Sequence, residues 1–234
     1  MKTKFVALTT SVTFILLSGV ASAQESEKPK PTPGFIFGGA TEFDQPSLAK
    51  NDQEKKTLEA LDEMTRGRWY LNVTTREGRM LRQLTELAGA KRVVEIGTSS
   101  GYSTIWLALG ARASGGQVIT HEINPETVKL AKANFEKAGV NAVITVIEGD
   151  AHETVKQHKE PIDVLFLDAD KQGYIDYLQK LLPLVRPGGL VMGHDMHRPR
   201  PDPRFIEAIT TSPDLDTSFV MMENFGFSLS VKKR

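Results

Sequence analysis

The chain has 234 residues, 40% hydrophobic and 25% charged, with 29 Lys+Arg against 29 Asp+Glu. That is enough for one large α/β domain and too apolar for a disordered chain. The neutral balance argues against nucleic-acid binding by bulk phosphate attraction, and the absence of cysteine excludes disulfides, thiolate metal sites and a cysteine nucleophile.

Residues 1–23 read as a secretory signal peptide. Lys2 and Lys4 give a basic start, Phe5 to Val20 is mostly apolar, and Ala21-Ser22-Ala23 is a small-x-small cleavage signature. The expectation is an exported, periplasmic or secreted protein cleaved after Ala23. Cleavage leaves 27 basic against 29 acidic residues, a net charge of −2. The apolar run is short for a bilayer crossing, so a membrane attachment is expected only if the segment stays uncleaved. Residues 24–50 are rich in Pro, Gly, Lys and Glu and read as a linker or N-terminal arm, which Phe35, Phe37 and Phe43 could pin to a domain over 51–234.

That domain alternates helix and strand. Asp52 to Arg66 and Glu77 to Leu87 have helical spacing. Val93 to Ile96 is a buried-type strand ending at Gly97, and a helix follows from Tyr102 to Ala111. Strand Val118 to Glu122 precedes a helix from Asn124-Pro125 to Ala138, stopped by Gly139. Strand Ala142 to Glu148 leads to Gly149-Asp150-Ala151 and a short helix. Strand Ile162 to Leu167 ends in Asp168-Ala169-Asp170-Lys171. A helix carrying Tyr174, Tyr177 and Leu181 is expected to run to Pro187-Gly188-Gly189, before strand Leu190 to Gly193 reaches His194-Asp195. Arg198 to Pro203 reads as a stiff loop over the site. Final strands are expected at Ser218 to Met222 and Phe225 to Val231, the latter alternating as if one face were packed. The whole predicts a doubly wound, mostly parallel sheet.

In such sheets ligands bind outside the carboxyl ends of the strands. There the sequence places Glu95-Ile96-Gly97, Glu122, Asp150-Ala151, Asp168 to Lys171 and His194-Asp195. The turn Gly97-Thr98-Ser99-Ser100-Gly101 is neither GxGxxG nor a Walker loop, which weakens dinucleotide and triphosphate readings. Glu95 suits a cationic ligand group better than a pyrophosphate. Glu122 is placed to bind ribose hydroxyls, and Asp150-Ala151 to accept from an adenine amino group and make room for its ring. A glycine turn, a ribose acid and an adenine acid describe an adenosine site without a phosphate cradle, which suggests S-adenosylmethionine.

The segments VVEIGTSSGYSTIWLA, THEINPETVKLAKANFEKAGV, LFLDADKQGYIDYL and LVRPGGLVMGHD, in this order, resemble the cation-dependent O-methyltransferases, the family of catechol and caffeoyl-coenzyme A O-methyltransferases and their bacterial relatives. The resemblance runs from about Leu71 to Lys233. It implies a Rossmann-like class I methyltransferase fold with a seven-stranded sheet and an antiparallel C-terminal strand. It implies that Val73, Glu95, Gly97, Thr98 and Ser103 hold the methionine and loop side of the cofactor, Glu122 the ribose, and Asp150 and Ala151 the adenine. Asp168 and Asp195 match metal aspartates, with magnesium or manganese as the divalent cation. Lys171 matches the catalytic base, and Asp170 lies beside cofactor or substrate. The implied reaction is methyl transfer to a hydroxyl of a small phenolic, catechol-like substrate, with Asp168 and Lys171 at its centre and a homodimer as the assembly.

One position departs from the family. Where the family has Asn after the second metal aspartate, this chain has Met196, and a thioether is a poor magnesium ligand. His194 and His197 flank the position and could recruit a softer metal, such as manganese or zinc, or supply a base. An exported address also sits awkwardly with a cofactor made in the cytosol. The alternative reading is a non-catalytic adenosine-ligand binder that keeps the fold.

Overall fold

The computed structural model describes residues 45–66, 72–197, 201–220 and 226–234. The expected signal segment, the arm up to residue 44 with its three phenylalanines, and Arg198 to Arg200 lie outside the described residues. No helix among the described residues is long and apolar enough to cross a membrane.

The chain opens with helices α1 (Asp52–Arg66) and α2 (Thr75–Leu87). Then β1 (Arg92–Ile96), α3 (Tyr102–Ala113), β2 (Gln117–Glu122), α4 (Pro125–Ala138), β3 (Ile144–Glu148), α5 (Ala151–Thr154), β4 (Ile162–Leu167), α6 (Tyr174–Leu181) and β5 (Val185–His194) alternate. Helix α7 (Pro203–Thr211) and strands β6 (Leu215–Val220) and β7 (Phe227–Lys232) complete the domain. The seven strands form one sheet in the order β3-β2-β1-β4-β5-β7-β6. β1 to β5 are parallel, and β7 runs antiparallel to both β5 and β6.

The parallel strands are apolar on both faces because helices cover both. Val93, Val164 and Phe166 face the layer of α1 to α4. Their neighbours Val94, Ile96, Leu165 and Leu167 face the layer of α6 and α7. Glu95 shares the face of Val93, so its carboxyl is driven into the α3 side of the core. The strand order reverses between β1 and β4, and adjacent connections there leave on opposite faces, which opens a crevice at the carboxyl ends.

Several element bounds differ from the sequence expectation. β3 begins at Ile144, because Asn141–Val143 forms a 3-10 turn. α6 stops at Leu181, where Pro183 lacks a helix donor and restricts Leu182, and a 3-10 turn over Leu182–Leu184 follows. β5 then starts as early as Val185 and carries Pro187-Gly188-Gly189 within it, absorbed by a register shift against β4 between Ile162 and Val164. The expected stiff loop gives way at Asp202 to helix α7, where the Asp202 carboxylate accepts from Arg204 N at 2.8 Å and Pro203 takes the first turn. β7 is no half-packed strand. It lies inside the sheet, Ser228 and Ser230 are buried, and Val231 is exposed. Ser230 Oγ pairs with Thr217 Oγ1 at 2.8 Å, which satisfies the hydroxyl inside the sheet.

Candidate active site

The carboxyl ends of β1, β2, β4 and β5 enclose a cleft of about 960 Å³. Its floor is the turn after β1. Gly97 adopts φ 100°, and a Cβ there would lie 2.4 Å from the Asp168 carbonyl oxygen, so only glycine fits between the two strand ends. Asp168 N donates to Ile96 O at 2.9 Å, which ties the β4 end to the β1 end.

Glu122 is held on the cleft wall by backbone donors. Ser99 N reaches Oε2 at 2.9 Å, and Ile123 N and Asn124 N each reach Oε1 at 3.0 Å. Such a clamp fixes the carboxylate's orientation, and the oxygens can still accept further hydrogen bonds from the cleft. Asp150 caps α5 through His152 N at 2.9 Å and still lines the cleft beside Ala151.

The expected cofactor residues therefore separate into two shells. Gly97, Glu122, Asp150, Ala151 and Asp168 line the cleft. Val73, Glu95, Thr98 and Ser103 lie buried behind that wall. Ser103 Oγ donates to Glu95 Oε1 at 2.7 Å and Thr104 Oγ1 to Oε2 at 2.5 Å. Burial raises the Glu95 carboxyl to about 7 against these hydrogen bonds, with help from the Asp168 charge. Thr98 Oγ1 pairs with Thr120 Oγ1 at 2.7 Å and braces the turn on β2.

The inner end of the cleft gathers Asp168, Lys171, His194 and Asp195. Lys171 Nζ donates to Asp168 Oδ1 at 2.9 Å and to Tyr174 OH at 2.8 Å, and it lies 3.2 Å from Asp195 Oδ2. Asp195 takes the left-handed conformation at φ 59°, uncommon for a residue with a side chain. Tyr174 OH donates to Leu167 O at 2.8 Å, and burial together with the nearby carboxylates keeps it a neutral phenol.

His194 sits between two carboxylates. Its Nδ1 donates to Asp168 Oδ1 at 3.1 Å, and its Nε2 faces Glu77 Oε1 at 3.4 Å. Burial opposes charge on this ring, but Asp168 and Glu77 outweigh it and raise the imidazole to about 10. Asp168 is likewise disfavoured by burial yet held down at about 2 by His194 and Lys171. Glu77 belongs to the first turn of α2, where it forms a capping box with Thr74, its Oε2 accepting from Thr74 N at 2.6 Å. Sequence reading missed Glu77. The Thr74-Thr75-Arg76-Glu77 pattern signals the cap, but not the histidine facing the second oxygen.

Asp170 lines the cleft and also an adjoining groove of about 880 Å³ between α6 and α7. Tyr177 OH donates to its Oδ1 at 2.6 Å, and the His152 ring stacks on Tyr177 with centroids 4.5 Å apart. His152 Nδ1 bonds Asp176 Oδ2 at 2.5 Å, which raises the imidazole despite some burial.

Under the β2 end lies a second pair that the sequence did not reveal. His121 Nε2 and His158 Nε2 are 2.8 Å apart. The Arg92 guanidinium, always a donor, donates to His158 Nδ1 at 3.1 Å. His158 therefore carries its proton on Nε2 and donates to His121, whose Nδ1–H donates to Thr154 Oγ1 at 2.7 Å. Burial lowers both rings, His121 to about 3 with the His158 charge adding, and His158 to about 4 with Arg92 adding.

The donor set at the inner end fits a hard or borderline dication. Two carboxylates bracket the Lys171 ammonium, itself a cation, and an imidazole nitrogen completes one side. Met196 does not join them. It is 3% exposed and packs into the core under α6 and α7.

Fold and rim define a doubly wound domain with a cleft at the carboxyl ends of its strands leading to a carboxylate–lysine junction. Comparisons with known proteins agree. The O-methyltransferase family profile matches residues 48–197. A catechol O-methyltransferase of Niastella koreensis is 35% identical over 147 residues, covering 61% of this chain and 65% of that protein. Caffeoyl-CoA O-methyltransferase 2 of Zea mays is 38% identical over 151 residues, covering 61% of this chain and 56% of that protein. The chain thus matches somewhat less than two thirds of the length of these relatives. The crystal structure of an O-methyltransferase from Bacillus cereus in complex with SAH superposes with a TM-score of 0.66 and 31% identity, over 80% of this chain and 93% of that one. The chain belongs to the O-methyltransferase family.

Proposed function

We propose that the protein transfers a methyl group from S-adenosylmethionine to one hydroxyl of a small phenol with vicinal oxygens, using a divalent cation held by Asp168 and Asp195. The observation that carries this reading is the junction itself: one side-chain nitrogen, that of Lys171, within 3.2 Å of two carboxylates from adjacent strand ends, in the cleft that Gly97, Glu122, Asp150 and Ala151 also line.

S-adenosylmethionine supplies an activated methyl on sulfonium, and a dication at the two carboxylates supplies Lewis acidity that lowers the pKa of a vicinal hydroxyl. Glu122 orients the ribose, and Gly97 lets the ligand approach the backbone. Glu95, behind the wall, fixes Ser103 and Thr104 at the start of α3. Asp168 and Asp195 converge from two strands and set the site at which the phenol is held. In its neutral amine form, with its own extra proton already given to solvent, Lys171 Nζ receives the hydroxyl proton as the oxygen lone pair bonds the methyl carbon and the carbon–sulfur pair returns to sulfur. Alignment of the two reacting groups is the larger part of the protein's contribution. Asp170, braced by Tyr177, flanks the same opening.

Calorimetric titration with S-adenosylmethionine, with and without magnesium or manganese, tests the reading, followed by methyl transfer to catechol with Lys171→Ala and Asp168→Ala as controls. Binding without transfer to any vicinal phenol would replace the substrate class. No binding would remove the reading altogether.

We also propose that residues 1–23 direct export and are removed after Ala23, that 24–50 serves as an arm to the domain over 51–234, and that the protein pairs as a homodimer. The basic start, apolar run and Ala21-Ser22-Ala23 support the first, and family resemblance supports the last. N-terminal sequencing of exported material and sedimentation equilibrium test them.

A further inference from the structure

We propose that His194 is the third protein ligand of the divalent cation, through Nδ1, and that it biases the site towards first-row transition metals over magnesium. The proposal rests on the reading that Asp168 and Asp195 hold a cation. Ligand atoms of Asp168, His194 and Asp195 all lie within 4.8 Å of one another, with Nδ1 3.1 Å from Asp168 Oδ1 and 3.8 Å from Asp195 Oδ1. The ring is 4% exposed, and the Phe227 ring lies against it with centroids 4.9 Å apart, so its orientation is fixed by packing.

Nδ1 shares its proton with Asp168 in the absence of a cation. Glu77 Oε1 faces Nε2 at 3.4 Å and keeps a proton on that nitrogen, so Nδ1 is the nitrogen that gives up its proton to ligate a cation. A carboxylate behind a ligating imidazole is the arrangement by which outer partners orient histidine ligands and raise their basicity. Met196 has no side-chain oxygen to offer, and its thioether packs into the core under α6 and α7. An imidazole donor in the set disfavours magnesium, which prefers oxygen ligands, and favours metals later in the divalent series.

The test is manganese titration of the full chain with pulsed electron paramagnetic resonance. The bound ion is expected to show coupling to one nitrogen and to bind more tightly than magnesium. His194→Asn is expected to lose the nitrogen coupling and to weaken manganese binding by about tenfold or more. His197→Ala, at an exposed position, is expected to keep both. Glu77→Gln is expected to keep the coupling while weakening binding by about 10- to 100-fold. Histidine-selective 15N labelling of the unmutated protein changes the coupling pattern, so the assignment survives a variant that does not fold. Manganese bound without nitrogen coupling, coupling that follows His197 instead, or no manganese binding would overturn the proposal. Methyl transfer undiminished by a chelator would overturn it while leaving the methyltransferase reading intact. Nitrogen-coupled manganese without any methyl transfer would do the reverse.

Discussion

Lys171 Nζ and Asp195 Oδ2 meet at 3.2 Å across the ends of adjacent strands β4 and β5. Because Asp168 Oδ1 lies 2.9 Å from the same nitrogen, a single side-chain nitrogen bridges two carboxylates at the inner end of the cleft. Lys171→Ala removes both the proposed proton acceptor and that bridge. The expected outcome is a fall in kcat of about 10²- to 10⁴-fold, with S-adenosylmethionine affinity changed far less, since the proposed ribose and adenine residues Glu122, Asp150 and Ala151 make no hydrogen bond to Lys171. Steady-state kinetics beside calorimetry check the split. A parallel loss of cofactor binding would assign Lys171 to the cofactor instead.

Gly97→Ala places a methyl 2.4 Å from the Asp168 carbonyl at a left-handed φ of 100°. Neither strand end can give way without moving Asp168. The change is expected to cost about 3 kcal/mol or more, from backbone strain and overpacking together, and to abolish cofactor binding. Urea denaturation and calorimetry measure the two effects. A variant of unchanged midpoint would show that the β1 and β4 ends are looser than the geometry requires.

His121 and His158 are buried neutral, lowered to about 3 and about 4 from an ordinary 6.5. The unfolded chain therefore binds more protons as pH falls below 6.5, and stability declines from there towards pH 4. One such protonation costs about 2 kcal/mol by pH 5. His158→Gln is expected to flatten this acid limb in urea midpoints measured from pH 7 to pH 4.5. An equally steep limb in the variant would place the acid sensitivity elsewhere.

His194 has the opposite sign. Its pKa in the folded protein, about 10, lies above the ordinary 6.5. Its contribution is complete below pH 6.5 and is lost as pH rises towards 10. With a chelator present, the urea midpoint is expected to fall across that range. Glu77→Gln removes one of the two carboxylates that favour the imidazolium and is expected to shrink the alkaline limb. An unchanged limb would assign the loss to other groups.

Much of this arrangement was legible in the sequence, for physical reasons. Buried parallel strands are continuous apolar runs, so the ends of β1, β4 and β5 stand out, and with them Gly97, Asp168, Lys171 and Asp195. The clamp on Glu122 follows from its place at the end of β2. Pairings across layers were not legible. Glu77 reads as a helix cap, and only tertiary packing turns its second oxygen towards His194. The His121–His158 pair joins a strand end to a loop after α5, and no local spacing encodes it. Helix α7 was hidden by its flanking prolines, which read as a stiff loop until Asp202 is seen to cap it. The burial of Ser228 and Ser230 was obscured by the alternation of Phe227, Leu229 and Val231, which suits a half-packed strand equally well.

The most direct test of the central claim is transfer of an isotopically labelled methyl from S-adenosylmethionine to catechol, followed by mass spectrometry, with the unmutated protein and Lys171→Ala side by side in manganese buffer. The expected result is a singly methylated catechol carrying the label from the unmutated protein and next to none from the variant. Tight cofactor binding with no labelled product from catechol or any other vicinal phenol would contradict the account.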